Sequence, residues 1–316
     1  MASVSEALMG DQEYALATKQ PLTPSQLAWR RFRRHKMAMF GLGLFIVLIV
    51  YVVGGAFVLS EQYANYNDVS IKLQPPSSAH PWGTDAVGRD IMARTIYGGQ
   101  ISMLIGLAAV CVALIVGVTV GALSGYYGGW VDSVLMRFTE ALLCIPQLFL
   151  LIVAAKYLGG KIQNFSFLGR EFSGSVIVIV VIIGLTGWMQ LARIVRSQFL
   201  SLREQEFITA ARCTGTSNAA IIAYHILPNS IAPIVVNATL GVANAIWTEA
   251  YISFLGLGVR QPTATWGNML EDANRYLETA PWLWFFPGLM ILLTVLAINF
   301  VGDGLRDALD PRAMVE

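Results

Sequence analysis

Glu206-Phe207-Ile208-Thr209-Ala210-Ala211-Arg212-Cys213-Thr214-Gly215, then nine residues, then His225-Ile226-Leu227-Pro228, is the stretch on which the reading of this 316-residue chain turns. It carries charges, a glycine and a proline, and lies between two apolar blocks long enough to cross a bilayer. Residues 201–214 are good helix formers. Gly215 suits a left-handed helix terminus that a residue with a Cβ resists. Thr216 or Ser217 can cap a following helix, and Pro228 stands where that helix must stop or bend. The spacing predicts a helix, a tight turn and a second helix. Ala210 and Ala211 leave one patch nearly featureless, with Glu206 and Arg212 as charge at its rim, so a second protein can approach closely. The same residues also describe an ordinary amphipathic hairpin, and by themselves they leave both readings open.

The flanking sequence says where this loop sits. The chain is 55% hydrophobic and 13% charged, with mean hydropathy +0.59. Soluble domains carry about 25% charged residues, so the composition points to an integral membrane protein. A helix crosses the hydrocarbon core with about 20 apolar residues. Such runs occur at 37–60, 101–125, 172–192, 231–255 and 279–302. The run 141–155 is short, lies between Glu140 and Lys156, and is interrupted by Pro146; a tilted, kinked or extended span is expected. The fold class is therefore all-α, a polytopic membrane protein of six transmembrane helices. The expected organisation is a tail at 1–36, a first span at 37–60, an external loop at 61–100, a five-helix core at 101–305 containing the loop 201–228, and a second tail at 306–316. Trp282 and Trp284 open the last span and suit a membrane interface.

Six spans put both termini on one side. Thirteen of the 21 lysines and arginines fall on that side, with the densest cluster just before Met37 (Arg30, Arg31, Arg33, Arg34, Lys36). Positive loops stay in the cytoplasm, so both termini and the loop 201–228 are expected there. The Arg30-Arg31 pair resembles a twin-arginine export signal, but the apolar run behind it is too long for a signal core and many spans follow.

Several shorter stretches carry expectations of their own. Residues 1–22 are polar and aperiodic, and are expected to be loosely ordered. Pro24-Ser25 opens a helix with Ser25 as N-cap and with Leu27, Ala28 and Phe32 toward lipid; the alternative is a basic flank with no special helix. Cys111, Cys144 and Cys213 match no metal-ligand spacing, and Cys111 and Cys144 are expected as small buried hydrophobes. His80 lacks a second ligand at a useful distance in sequence, which favours a hydrogen-bonded histidine over a metal site. Gly117, Gly121 and Gly125 share one helix face, where a neighbouring backbone can come close. Residues 126–137 are expected as a short cytoplasmic turn, and 156–171 as a glycine-rich polar loop. Glu249 is the one acid well inside a span. An intramembrane carboxylate suggests function, here lining a substrate path, but a structural group hydrogen-bonded within the bundle is the favoured reading. A net charge of +1 supplies no basic field for nucleic acid.

The loop resembles the "EAA" loop of ABC importer membrane subunits: Glu-Ala-Ala, three residues, Gly, nine residues, Ile, one residue, Leu-Pro. Ala210-Ala211, Gly215 and Leu227-Pro228 match that spacing. Thr209 stands where the Glu would be and His225 where the Ile would be, with Glu206 about one helical turn upstream. The stretch 80–90 with Gly98 and Ser102, the stretch 253–259, Trp266-Gly267 and the stretch 307–312 are similar to the second permease of the dipeptide/oligopeptide/nickel importer family. The resemblance runs from about residue 25 to 312.

It implies the type I permease fold and four kinds of partner: a homologous second permease, two cytoplasmic ATPases, an extracytoplasmic substrate-binding protein and the lipid bilayer of a bacterial or archaeal cytoplasmic membrane. It also implies that Glu206, Thr209, Ala210, Ala211, Arg212, Gly215, Leu227 and Pro228 couple the chain to an ATPase. ATP and Mg would be bound by those partners, leaving this chain without cofactor, metal or catalytic residues. In keeping with that, Gly159-Gly160-Lys161 is followed by Ile162 and lacks the upstream glycine of a phosphate-binding loop. Peptides are the first expectation for cargo, with nickel complexes or oligosaccharides as alternatives. An ion-driven secondary transporter would usually need internal repeats and several midplane charges, and a membrane scaffold would not need the loop.

Overall fold

The computed structural model describes residues 23–310 apart from 159, 168 and 169. The expected loose order of residues 1–22 and the Pro311-Arg312 end of the last motif lie outside the described residues. Among the described residues, five helices are long and apolar enough to cross a membrane: α2 (Lys36–Val58), α4 (Ile91–Tyr127), α7 (Ser175–Leu202), α10 (Ile231–Phe254) and α12 (Trp282–Leu309). A sixth crossing arises if α5 (Gly129–Leu143) and α6 (Gln147–Leu158) form one span. They are bent by 84° across Cys144, Ile145 and Pro146, the kink expected of that proline. Smaller elements are α1 (Pro24–Arg34), α3 (Glu61–Asn65), α8 (Glu206–Cys213), α9 (residues 218–229) and α11 (Trp266–Ala273). A two-stranded antiparallel hairpin, β1 (Phe165–Phe167) and β2 (Arg170–Phe172), is the one sheet among the described residues.

The central packing is α4 on α7, and the glycine stripe explains it. A methyl at Gly121 would lie 2.5 Å from the Ala192 carbonyl, and one at Gly125 would lie 2.5 Å from Phe199 Cβ. Gly117 meets the Trp188 carbonyl at 2.9 Å in the same sense. The expected close backbone approach is thus made within the chain, by α7. Between lipid-facing helices this contact replaces the hydrophobic drive that water would supply.

Four local expectations change. α4 begins at Ile91, ten residues before the charge-free run. Asp90 caps it, its Oδ1 accepting from the Ala93 N–H at 2.8 Å. Arg94 is tolerated inside it because the guanidinium donates to Asn65 Oδ1 (3.3 Å) and Gln261 Oε1 (3.4 Å). The turn expected at 126–137 shrinks to the glycine pair Gly128-Gly129, both at positive φ, and α5 starts at once. Asp132 in its first turn is held by Arg196 of α7 at 2.5 and 2.6 Å. The N-cap of α1 is Thr23, not Ser25, with Pro24 in the first turn. Phe32 is buried against Ala38 and Ala308 and so does not face lipid. Cys111 and Cys144 are exposed, not buried: an apolar run in a membrane chain can turn its residues outward as readily as inward.

The region 61–100, with the hairpin and the start of α12, is ordered by polar and aromatic contacts. Asp85 accepts from the Val87 and Arg89 N–H groups, both at 2.9 Å, and from Arg89 Nε at 2.5 Å. His80 Nδ1 bonds Asp90 Oδ2 at 2.9 Å, the hydrogen-bonded reading of that histidine. Trp82 stacks between Tyr51 and Phe286, and Trp282 Nε1 donates to the Thr84 carbonyl at 3.2 Å. Arg170 of the hairpin reaches Glu61 at 2.6 Å and Gln100 at 2.7 Å, joining β2 to α3 and α4.

Candidate functional site: a helical loop and a buried carboxylate

The loop after α7 folds as helix, turn and helix. Glu206 stands in the first turn of α8, where a negative charge complements the helix dipole. The turn closes with the Thr216 N–H on the Ala211 carbonyl (3.1 Å) and the Gly215 N–H on the Arg212 carbonyl (3.0 Å). These are the two bonds of a Schellman motif, and Gly215 sits at φ +77°. Ser217, the second of the two expected residues, caps α9 by accepting from the Ala220 N–H at 3.4 Å. α9 is not a plain α-helix. Residues Ile221–Ile226 form a wide π-turn, and the Leu227 N–H reaches back to the Ile222 carbonyl before Pro228, which has no N–H to give.

The loop has an inner face and an outer one. Ile208, Ala211, Ile221 and Ile226 are buried in one cluster with Ala122, Tyr126, Val195 and Phe199 of the long helices. Glu206, Phe207, Thr209, Ala210, Arg212, Gly215 and Pro228 are exposed, while Leu227 is half-buried. The two alanines are therefore split: Ala211 packs inward and Ala210 presents the small outer patch. Phe207 (43% exposed) and Tyr224 (77% exposed) are aromatic side chains on the outside that the sequence reading did not single out. Their signal was there, large rings in a short polar loop.

Three side chains bolt this loop to the bundle. Tyr126 Oη donates to Asn218 Oδ1 at 2.7 Å, and the Arg212 guanidinium lies 5.7 Å above the Tyr126 ring. Arg203 Nη1 donates to the Gly125 and Tyr126 carbonyls at 3.2 and 3.3 Å, tying the end of α7 to the end of α4. Arg196 then joins α7 to Asp132 of α5. A push on the loop must move the ends of α4, α5 and α7 together.

Glu249 sits elsewhere. It is 0% exposed, near the C-terminal end of α10. Ser253 Oγ donates to its Oε1 at 2.7 Å and Ser102 Oγ to its Oε2 at 3.1 Å. The Trp266 N–H donates to Ser102 Oγ at 3.2 Å, the Val259 N–H to Ser253 Oγ at 3.3 Å, and Trp266 Nε1 to the Thr95 carbonyl at 2.9 Å. Gly98 and Gly267 let the backbones meet: a methyl at Gly267 would lie 2.6 Å from Ala250 Cα. Three of the stretches singled out in the sequence, Gly98 with Ser102, the stretch 253–259 and Trp266-Gly267, thus form one joint of α4, α10 and α11 around this carboxylate. The loop residues expected to couple the chain to an ATPase and Glu249 are not brought together; they lie toward opposite ends of the bundle.

Comparison with known proteins places this geometry. Residues 117–315 match the family model described as "binding-protein-dependent transport system inner membrane component", and residues 23–76 match the N-terminal transmembrane domain of oligopeptide transport permease C. The chain is 42% identical over 291 residues to the dipeptide transport system permease protein of Alkalihalophilus pseudofirmus, covering 92% of this chain and 91% of that one. It is 38% identical over 312 residues to the oligopeptide transport system permease protein of Bacillus subtilis, covering 99% and 97%. A solved structure of the MetNI methionine ABC transporter in an inward-facing conformation aligns with TM-score 0.52 and 17% identity, over 67% of this chain and 94% of that one, a likeness of fold.

Proposed function

The chain belongs to the binding-protein-dependent transport inner membrane components, a multi-pass permease of the ABC importers with the type I fold, and on that premise we propose that it forms half of a translocation path for di- and oligopeptides. It is a transport component and not an enzyme. Family membership removes the support for an ion-driven secondary transporter. Its relatives of known name carry dipeptides or oligopeptides, which supports peptides over nickel complexes or oligosaccharides as cargo. The partners it needs are a homologous second permease, two ATPases that bind ATP and Mg at the cytoplasmic face, and an extracytoplasmic binding protein. Both termini and the loop 201–228 face the cytoplasm in this reading.

The observation that carries the coupling role is the two-faced loop. Its inner side is fixed to α4 and α7 by Ile208, Ile221, Tyr126 and Arg203, while Phe207, Ala210 and the Gly215 turn remain outside. A groove on an ATPase that takes this outer face would transmit its closure directly to the long helices. Glu206, Thr209, Arg212, Leu227 and Pro228 frame that contact. The test is uptake of radiolabelled tri-alanine into proteoliposomes holding the four-subunit complex, ATP and the binding protein. Ala210→Trp and Gly215→Val should lower ATP-driven uptake at least tenfold and release the ATPases on detergent extraction, with the permease still in the membrane. Unchanged uptake with both variants would remove the loop from coupling.

A further inference from the structure

Between α4, α6, α7 and α10 lies a cavity of about 230 Å³ whose wall carries no ionisable side chain. Four amides line it where it opens to the outside of the chain: Gln147 at the start of α6, Gln190 on α7 and Asn244 on α10, all exposed, and Asn237 on α10, half-buried. Asn237, Gly241, Asn244 and Thr248 recur at i, i+4, i+7 and i+11, one face of the helix, distinct from the face that carries Glu249 and Ser253. Among the described residues none of these four side-chain amides has a hydrogen-bond partner in the chain; Thr248 satisfies itself on the Asn244 carbonyl at 2.7 Å. Gln190 also lines a second cavity of about 510 Å³ toward the inner end, bordered by Glu140, Arg193, Ser197 and Gln198.

Amides left unpaired against lipid tails are costly, so this face is not a lipid face. The groove on the other side of α10 shows what one looks like. It is lined by Phe45, Ile49, Leu104, Leu107 and Val301, almost entirely apolar. We propose that Gln147, Gln190, Asn237 and Asn244 are the chain's share of a water-filled substrate path that holds the main chain of a passing peptide. This rests on the peptide-permease reading above and deepens it. A side-chain amide offers an acceptor oxygen and two N–H donors, which can meet both the single N–H and the single C=O of a peptide group, so it can pair with any residue's backbone whatever the side chain. A wall without charge neither traps a cationic side chain nor repels an anionic one, which a carboxylate or guanidinium at this depth would do. Selection among peptides then belongs to the delivering protein, and the path stays indifferent.

The experiment uses the complete complex in proteoliposomes with Cys111, Cys144 and Cys213 replaced by serine. Radiolabelled tri-alanine, tri-lysine and tri-glutamate serve as probes, each scored as variant over wild type so that preferences of the binding protein cancel. The double variant N244L/Q190L should lower tri-alanine uptake at least tenfold while ATP hydrolysis stimulated by the loaded binding protein stays within twofold. N244D should shift the tri-lysine to tri-glutamate ratio at least tenfold toward tri-lysine. Asn237→Cys and Asn244→Cys should react with a charged methanethiosulfonate far faster than Leu107→Cys. Retained uptake in the double variant, loss of stimulated hydrolysis together with uptake, an unchanged ratio in N244D, or labelling at the Leu107→Cys rate would each overturn the inference. A wild-type complex that moves none of the three peptides overturns the parent reading and the peptide assignment with it. The labelling still decides whether the amide row faces water.

Discussion

Glu249 shows how much one side chain's role depends on its neighbours. In sequence it is an acid inside a span, with a path-lining and a structural reading. In the folded chain both oxygens are engaged by Ser102 and Ser253, and those hydroxyls in turn accept from the Trp266 and Val259 N–H groups. Replacing Glu249 with Gln keeps an acceptor for one serine, and the other hydroxyl can turn round to accept from the amide. Peptide uptake should stay within about twofold of wild type. Glu249→Leu strands the two hydroxyls and should cost about 1–3 kcal/mol, read as earlier thermal unfolding of the detergent-solubilised protein. Full uptake with the Gln variant removes the carboxylate from the path; equal stability of the Leu variant would contradict the joint. Gly121 makes the parallel case for packing. With 2.5 Å between a new methyl and the Ala192 carbonyl, Gly121→Val should force α4 from α7 and cost about 1–3 kcal/mol by the same measurement. Both residues were visible in the sequence, Gly121 with the kind of contact it makes, and Glu249 without its partners. Hydropathy reports that a group is in the membrane, not what it touches.

Elements were legible where the physics is local and lost where it is long-range. The helix-turn-helix of the loop after α7 follows from Gly215, Ser217 and Pro228, and the break between α5 and α6 from Pro146. The starts of α4 and α5 were misplaced because charges were taken as membrane limits. Arg94 and Asp132 are accommodated by partners 29 and 64 or more residues away in the chain. The hairpin of β1 and β2 was missed for a related reason: three-residue strands carry little pattern, and this one is held by Arg170 reaching Glu61 and Gln100. The Asp132–Arg196 pair is the link between α5 and α7 most open to test. It is bidentate and only partly exposed, so Asp132→Ala should lose about 1 kcal/mol, between an exposed and a buried pair. A double-mutant cycle with Arg196→Ala should recover that coupling; strictly additive losses would show that the pair does not hold the helices together.

At the scale of the molecule, the loop and the glutamate joint sit toward opposite ends of a bundle whose long helices connect them. If the loop faces the cytoplasm, Cys213, exposed on α8, should react with a membrane-impermeant maleimide in inside-out vesicles and not in right-side-out ones, once Cys111 and Cys144 are serine. Added ATPase subunits should slow that reaction. Labelling from the outside alone would reverse the topology and end the coupling account. The sequence alone settled that this is a helical membrane protein, that the loop after α7 folds as helix, turn and helix, and which family it resembles, because composition, hydrophobic length, capping and a spaced motif are all short-range properties. Only the tertiary structure decided which alanine of the pair faces out, that Ser102, Glu249, Ser253 and Trp266 form one joint, and that four unpaired amides share a cavity. Lipid, protein core and water-filled path all accept the same apolar or amphipathic helix, and which one a given face meets is set by the helices packed around it.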